Sequence, residues 1–125
     1  MSEKRKYTRH ACKIKTTFDY YEGNPDEVDV IQDVPSKGKG LILDLSQGGV
    51  FIVSDNRVPV HMPIRVFFTI KKEVYEIMGH TVRTGLLEFN PTEVAQKFAR
   101  FAAKGEVYIA VEFDEEIPEI SEKDL

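Results

Sequence analysis

The sequence predicts a mainly β fold: a small antiparallel β-barrel of six to seven strands with one helix before the last strand. Three observations lead there. Most of the chain alternates apolar and polar residues with a period of two, which is the pattern of a sheet with one buried face. Glycine, proline, asparagine and aspartate punctuate the alternation at short intervals. A single stretch, Asn90 to Lys104, carries a helical period together with start and stop signals for a helix.

The first strand is read from Ile14, Thr16, Phe18 and Tyr20, which point one way while Lys13, Lys15, Thr17 and Asp19 point the other. Glu22-Gly23-Asn24-Pro25-Asp26 supplies a turn, and a variable second strand is expected near Val28 to Ile31. Pro35 to Gly40 reads as a second irregular stretch. From Gly40 the pattern sharpens: Leu41, Leu43 and Leu45 alternate with Ile42, Asp44 and Ser46 until Gln47-Gly48-Gly49 ends the strand. Asp44 and Ser46 therefore share one strand face. Further strands follow at Val50 to Val53, at Ile64 to Ile70 and at Glu73 to Thr84. In the helix, Asn90 caps, Pro91 takes the first helical position, Glu93 completes a capping box, and Gly105 closes the far end. Its stripe of Val94, Phe98, Phe101 and Ala102 is expected to pack on the domain's own core. Glu106 to Phe113 resumes the period of two, with Val107, Ile109, Val111 and Phe113 facing inward to close the barrel.

Composition narrows the function. With 125 residues, 42% hydrophobic and 30% charged, the chain has the size and balance of one globular domain. Residues 1 to 15 are polar and basic, without the apolar run of a signal peptide, and no stretch reaches transmembrane length, so a cytoplasmic protein without direct membrane insertion is expected. Cys12 is the only cysteine, and His10, His61 and His80 lack the short spacing of a zinc site; no metal is expected. The formal net charge of −4 disfavours a general nucleic-acid binder, but the charge is segregated. Lys4, Arg5, Lys6, Arg9, Lys13 and Lys15 follow one another with no acid between them, whereas Glu112 to Asp124 holds seven acids against Lys123 alone. The expected organisation is a flexible basic ligand-binding arm over 1–12, a barrel over 13–113 and an acidic, loosely ordered tail over 114–125.

Two clusters carry the functional case. Arg5-Lys6-Tyr7-Thr8-Arg9 places two arginines four residues apart just before the first strand, and Asp44-Leu45-Ser46-Gln47-Gly48-Gly49 stands at a strand end. Together they resemble the PilZ family, whose cyclic di-GMP receptors carry an Arg-x-x-x-Arg arm and an (Asp/Asn)-x-Ser-x-x-Gly motif; matched residue by residue, these are Arg5, Arg9, Asp44, Ser46 and Gly49. Gly79-His80-Thr81-Val82-Arg83 is similar to the glycine-to-arginine strand of that family. The resemblance spans residues 3 to 113 and implies a PilZ-like barrel that binds cyclic di-GMP and signals to an unidentified downstream protein. Lys4 stands where many family members have another arginine, which leaves one or two ligands per site open.

The residue chemistry suits that ligand, which presents two phosphates and two guanine bases. Arginine can fork onto a phosphate, bind guanine O6 and N7 through two parallel hydrogen bonds, or stack on the ring, where lysine offers only a mobile point charge. Asp44 supplies acceptors for guanine N1–H and N2–H₂, and Ser46 can bond a base edge or a phosphate. Gly49, without a Cβ, is expected to let ligand and backbone approach closely and to permit the turn that ends the strand. Arg83 either lines the same site or pairs with a surface acid.

Other classes fit less well. No histidine is placed to activate Ser46, and the glycine-rich turn has neither a nucleophile-elbow nor a phosphate-loop pattern, so no enzyme is expected. A single-stranded nucleic-acid groove calls for exposed aromatics among basic residues, and only Tyr7 sits inside the arm. The remaining alternative is a non-catalytic protein-interaction adaptor that keeps the barrel and does not depend on the nucleotide.

Overall fold

A computed structural model describes residues 7–87 and 107–125. Six strands, β1 (His10–Tyr20), β2 (Ser36–Leu45), β3 (Gly49–Ser54), β4 (Pro63–Ile70), β5 (Glu73–Leu86) and β6 (Val107–Phe113), form a closed barrel in the order β1-β2-β3-β6-β5-β4. Every neighbouring pair is antiparallel, and β4 returns to β1 through Thr16↔Phe68 to Tyr20↔Ile64. Closure leaves no strand edge unpaired. The expected helix between Asn90 and Lys104 lies outside the described residues.

The inward faces follow the period of two. Thr16, Phe18 and Tyr20 on β1, Ile64, Val66, Phe68 and Ile70 on β4, and Val107, Ile109, Val111 and Phe113 on β6 are all buried. Each fully buried aliphatic or aromatic side chain contributes roughly 1.5–3 kcal/mol of transfer free energy, so these three stripes are a large part of the driving force. The polar Thr81 is also fully buried, and its hydroxyl donates to Pro59 O (2.6 Å) while accepting from Met62 N (2.8 Å). That bond pair fastens the β3–β4 connection to β5.

Three elements differ from the expectation. No strand forms near Val28 to Ile31. Pro25–Glu27 is instead one 3-10 turn, with the Asn24 side chain accepting from Asp26 N. Beyond it, Asp29 Oδ1 accepts from Ile31 N and Gln32 N, and Asp33 Oδ2 accepts from Asp29 N. These side chains satisfy the backbone locally, in competition with a ladder. Ile31 is left 91% exposed, so the apolar run there marks a loop.

The stretch expected to be irregular is the start of β2, which begins at Ser36. Its glycines are packing requirements. Gly38 pairs with Phe18, and a Cβ on Gly38 would lie 2.4 Å from the Phe18 ring.

Leu41, Leu43 and Leu45 do not line one inner face. The β2–β3 register shifts between Ile42 and Asp44, a bulge that gives β2 one extra residue. Ile42 and Leu45 consequently face the barrel core, while Leu43 packs outside with Val53 and Leu87.

The strand boundaries also bear on the expected organisation. β1 starts at His10, inside the stretch assigned to the arm. Beyond β6, Ile117 and Ile120 are buried in the core and Leu125 packs against it.

Because the Phe18 ring is fully buried, Gly38→Ala overpacks the barrel. It is expected to lower unfolding free energy by about 1–3 kcal/mol in urea titrations, whereas Ile31→Ser, at the exposed loop, changes it by less than about 0.5 kcal/mol.

Candidate functional site

A cleft of about 680 Å³ opens where β1 begins, β2 ends, β3 begins and β6 ends. That volume is in the usual range for small-ligand sites, roughly 300–1,000 Å³. Its lining includes Tyr7, Arg9, Asp44, Ser46, Gly48 and Gly49. Strand pairing explains the convergence. Ala11 is the partner of Asp44 across β1 and β2, so Arg9, two residues upstream, arrives beside the end of β2. Arg9 Nη1 lies 3.7 Å from Asp44 Oδ2, and the two side chains are 46% and 20% exposed. A pair this accessible is worth at most about 1 kcal/mol, so it orients the arginine without locking it. Arg5 lies outside the described residues.

The Ser46–Gly49 turn is held by its own groups. Ser46 N donates to Gly49 O (3.0 Å), the Ser46 hydroxyl donates to the same oxygen (3.4 Å), and it accepts from Gly48 N (3.3 Å). The serine hydroxyl is thus engaged in shaping the turn as well as lining the cleft. The turn is in addition stitched to the chain beyond β6. Phe113 N donates to Gly48 O (2.8 Å), Ile117 N donates to Gln47 O (2.9 Å), and Gln47 Nε2 donates to Ile117 O (3.2 Å).

The two glycines answer a packing demand, and the turn geometry expected to need Gly49 does not require it. Among the described glycines only Gly23 has a positive φ, so neither Gly48 nor Gly49 is required for turn geometry. A Cβ on Gly49 would stand 2.2 Å from Val111 O, within the β3–β6 pairing, and one on Gly48 would stand 2.6 Å from the Tyr7 ring. Gly49 is demanded by barrel closure, and Gly48 by an aromatic ring lying across it.

Arg83 lines the cleft together with Val82. The β5–β6 register shifts between Thr81 and Arg83, a second bulge at the rim. Among the described residues Arg83 forms no ion pair. Cys12, beside β2, directs its Sγ to Ile42 O (3.6 Å), and its thiol is pushed up to about 11, by burial first and by the Asp44 charge second. A thiol raised in this way holds its proton at neutral pH.

Sequence reasoning missed the acidic side of the site. Glu112, Asp114 and Glu116 line the same cleft, and the Tyr7 hydroxyl donates to Glu116 Oε2. Asp114 Oδ1 is 3.2 Å from His80 Nδ1. Tyr7 and Arg9 of the basic segment meet Glu112, Asp114 and Glu116 of the acidic segment here. Only the β3–β6 pairing brings them together, and no local signal announces it. Among the described residues no group of three or more metal-ligating side chains is found.

No protein-family model matches the sequence, and no curated protein sequence matches it. Solved structures do. The chain superimposes on the Bacillus subtilis inhibitor of motility, MotI/DgrA, with a TM-score of 0.58 at 14% identity, covering 94% of this chain and 46% of that one. It thus spans less than half of that protein's length. It also superimposes on the PilZ domain, with c-di-GMP, of YcgR from Escherichia coli, with a TM-score of 0.53 at 13% identity, covering 90% of this chain and 79% of that one. The six-stranded barrel is a PilZ-like domain fold.

Since Gly49 abuts the Val111 carbonyl, Gly49→Ala is expected to cost about 1–3 kcal/mol of stability with no ligand present. Equilibrium denaturation checks this directly; an unchanged midpoint would return Gly49 to a purely ligand-facing role.

Proposed function

We propose that this chain is a receptor for cyclic di-GMP that carries out no chemistry of its own and passes the signal to a partner protein. The observation that carries this reading is the convergence of Arg9, Asp44, Ser46 and Gly49 on one cleft of ligand size. The likeness of the barrel to the domain of YcgR seen with c-di-GMP adds support.

The roles follow from donor and acceptor chemistry. Arg9, only loosely held by Asp44, turns its guanidinium to a ligand phosphate or to guanine O6 and N7. Asp44, released from Arg9, accepts from guanine N1–H and N2–H₂. This exchange sacrifices a weak, partly exposed ion pair and forms charge-assisted hydrogen bonds worth roughly 1.5–3 kcal/mol each. Ser46 holds the turn and presents its hydroxyl to the ligand. Gly49 lets β3 and β6 close so that the turn stands at the cleft. Arg5 completes the arm by virtue of the Arg-x-x-x-Arg spacing. Arg83, uncommitted to a described acid, adds a second guanidinium on the opposite wall.

Calorimetry with cyclic di-GMP against GTP tests this reading. Saturable binding of cyclic di-GMP is expected, with GTP at least tenfold weaker, about the value of one good hydrogen bond. Arg9→Ala and Asp44→Ala should each weaken it by about tenfold to a hundredfold while leaving the far-ultraviolet dichroism unchanged. No heat at micromolar messenger overturns the receptor reading.

Arg83→Ala separates the open alternatives for that residue. A loss of about tenfold, one charge-assisted bond, places it at the ligand; unchanged affinity leaves it a solvated surface cation.

A further inference from the structure

Tyr7 stands between the two motif arginines in sequence, two residues from each, so its position bears on how Arg9 reaches the cleft. Two of its contacts lie at the motif turn and the acidic wall. Its ring lies against Gly48, occupying the room a Cβ would take, and its hydroxyl donates to Glu116. Glu116 is in turn held by its neighbour. Ile117 is buried in the core, and its backbone N–H and C=O both bond Gln47 of the motif turn.

We infer that Tyr7 and Glu116 form an internal competitor for the cleft, a latch that sets the affinity of the ligand site; the inference rests on the receptor reading above. The physical reason is charge. Glu116 lines the cleft with Glu112 and Asp114, so a ligand carrying two phosphates arrives among three carboxylates. Glu112 belongs to β6, and Asp114 faces His80 at 3.2 Å. Of the three, Glu116 accepts the hydrogen bond from Tyr7, so turning its carboxylate away from arriving phosphates breaks that bond. The arm segment that carries Arg9 is then freer to follow the phosphates. Tyr7 and Glu116 are positioning residues in this scheme: they act through the arm and need not touch the ligand.

A double-mutant comparison decides the matter. Cyclic di-GMP is titrated calorimetrically, at low salt, into the wild type, Glu116→Ala, Tyr7→Phe and the double variant, with urea denaturation as the folding control. Tyr7→Phe keeps the ring over Gly48 and removes only the hydroxyl, and Glu116→Ala removes its acceptor. Each single variant is expected to bind about three- to tenfold more tightly, the range of one exposed charge-assisted contact, and the double variant no more tightly than the better single one. Tightening by Glu116→Ala alone, or additive tightening in the double variant, overturns the latch in favour of simple charge repulsion. Weaker binding by Glu116→Ala overturns it too, making the carboxylate a ligand contact. Wild-type binding with unaltered variants sinks the latch and leaves the receptor intact, whereas silence from all four proteins sinks the receptor reading and the latch with it.

Discussion

The pairing of β3 with β6 is the constraint on which the rest of the molecule depends. These strands begin at Gly49 and Val107, far apart in the chain, and they approach so closely that only a glycine fits opposite the Val111 carbonyl. Closing that seam completes the barrel and removes its last open edges. It also fixes where the motif turn stands. Phe113 N bonds Gly48 O and Ile117 N bonds Gln47 O, so the turn is extended into a short bridge between the two sides of the seam. Tyr7 and Arg9 are then brought to the same rim as Glu112, Asp114 and Glu116, although nothing local in either stretch encodes the other's presence.

That dependence explains what could be read from the amino acids and what could not. β1, β4 and β6 alternate strictly, because each lies on a barrel wall with one buried face, and their inward residues were identifiable one by one. β2 was partly misread for two physical reasons. Its first half carries Gly38 opposite Phe18, and glycines selected for close packing look the same on paper as glycines selected for a turn. Its second half carries a bulge at Leu43, which resets the alternation without leaving a local signature. The loop after β1 misled in the opposite direction. Val30 and Ile31 suggested burial, but Asp29 and Asp33 satisfy the backbone there and the aliphatic side chains remain in solvent.

The site shows the same division. Asp44, Ser46 and Gly49 are close in sequence and share a strand end, so their association was local and legible. Arg9 joins them through the pairing of the consecutive strands β1 and β2, and from sequence that meeting was carried by the family resemblance alone. Tyr7, Gly48 and Glu116 were missed, because the contact from Tyr7 to Glu116 spans nearly the whole chain. Arg83 was left open for a related reason: a bulge beside Val82 decides which wall it joins, and bulges are set by tertiary closure.

A cleft whose described lining has more carboxylates than guanidinium groups is at first sight unsuited to a dianion. The difficulty eases when the whole ligand is considered. Each guanine offers an edge of N–H donors, so a site for a guanine dinucleotide needs acceptors as well as cations, set at different depths. Asp44, mostly covered at the end of β2, offers acceptors, while Arg9, more exposed, offers donors. The two groups meanwhile face each other across 3.7 Å, the guanidinium about half exposed. Such a pair keeps both side chains in the cleft at little cost to release, since its energy in water is small and is screened further by salt. A tighter, buried pair would have held the same residues in the same place and refused the ligand. On the receptor reading proposed above, a weak resting contact is what leaves both groups able to turn to a ligand, and it follows from putting the cleft at the barrel's open rim.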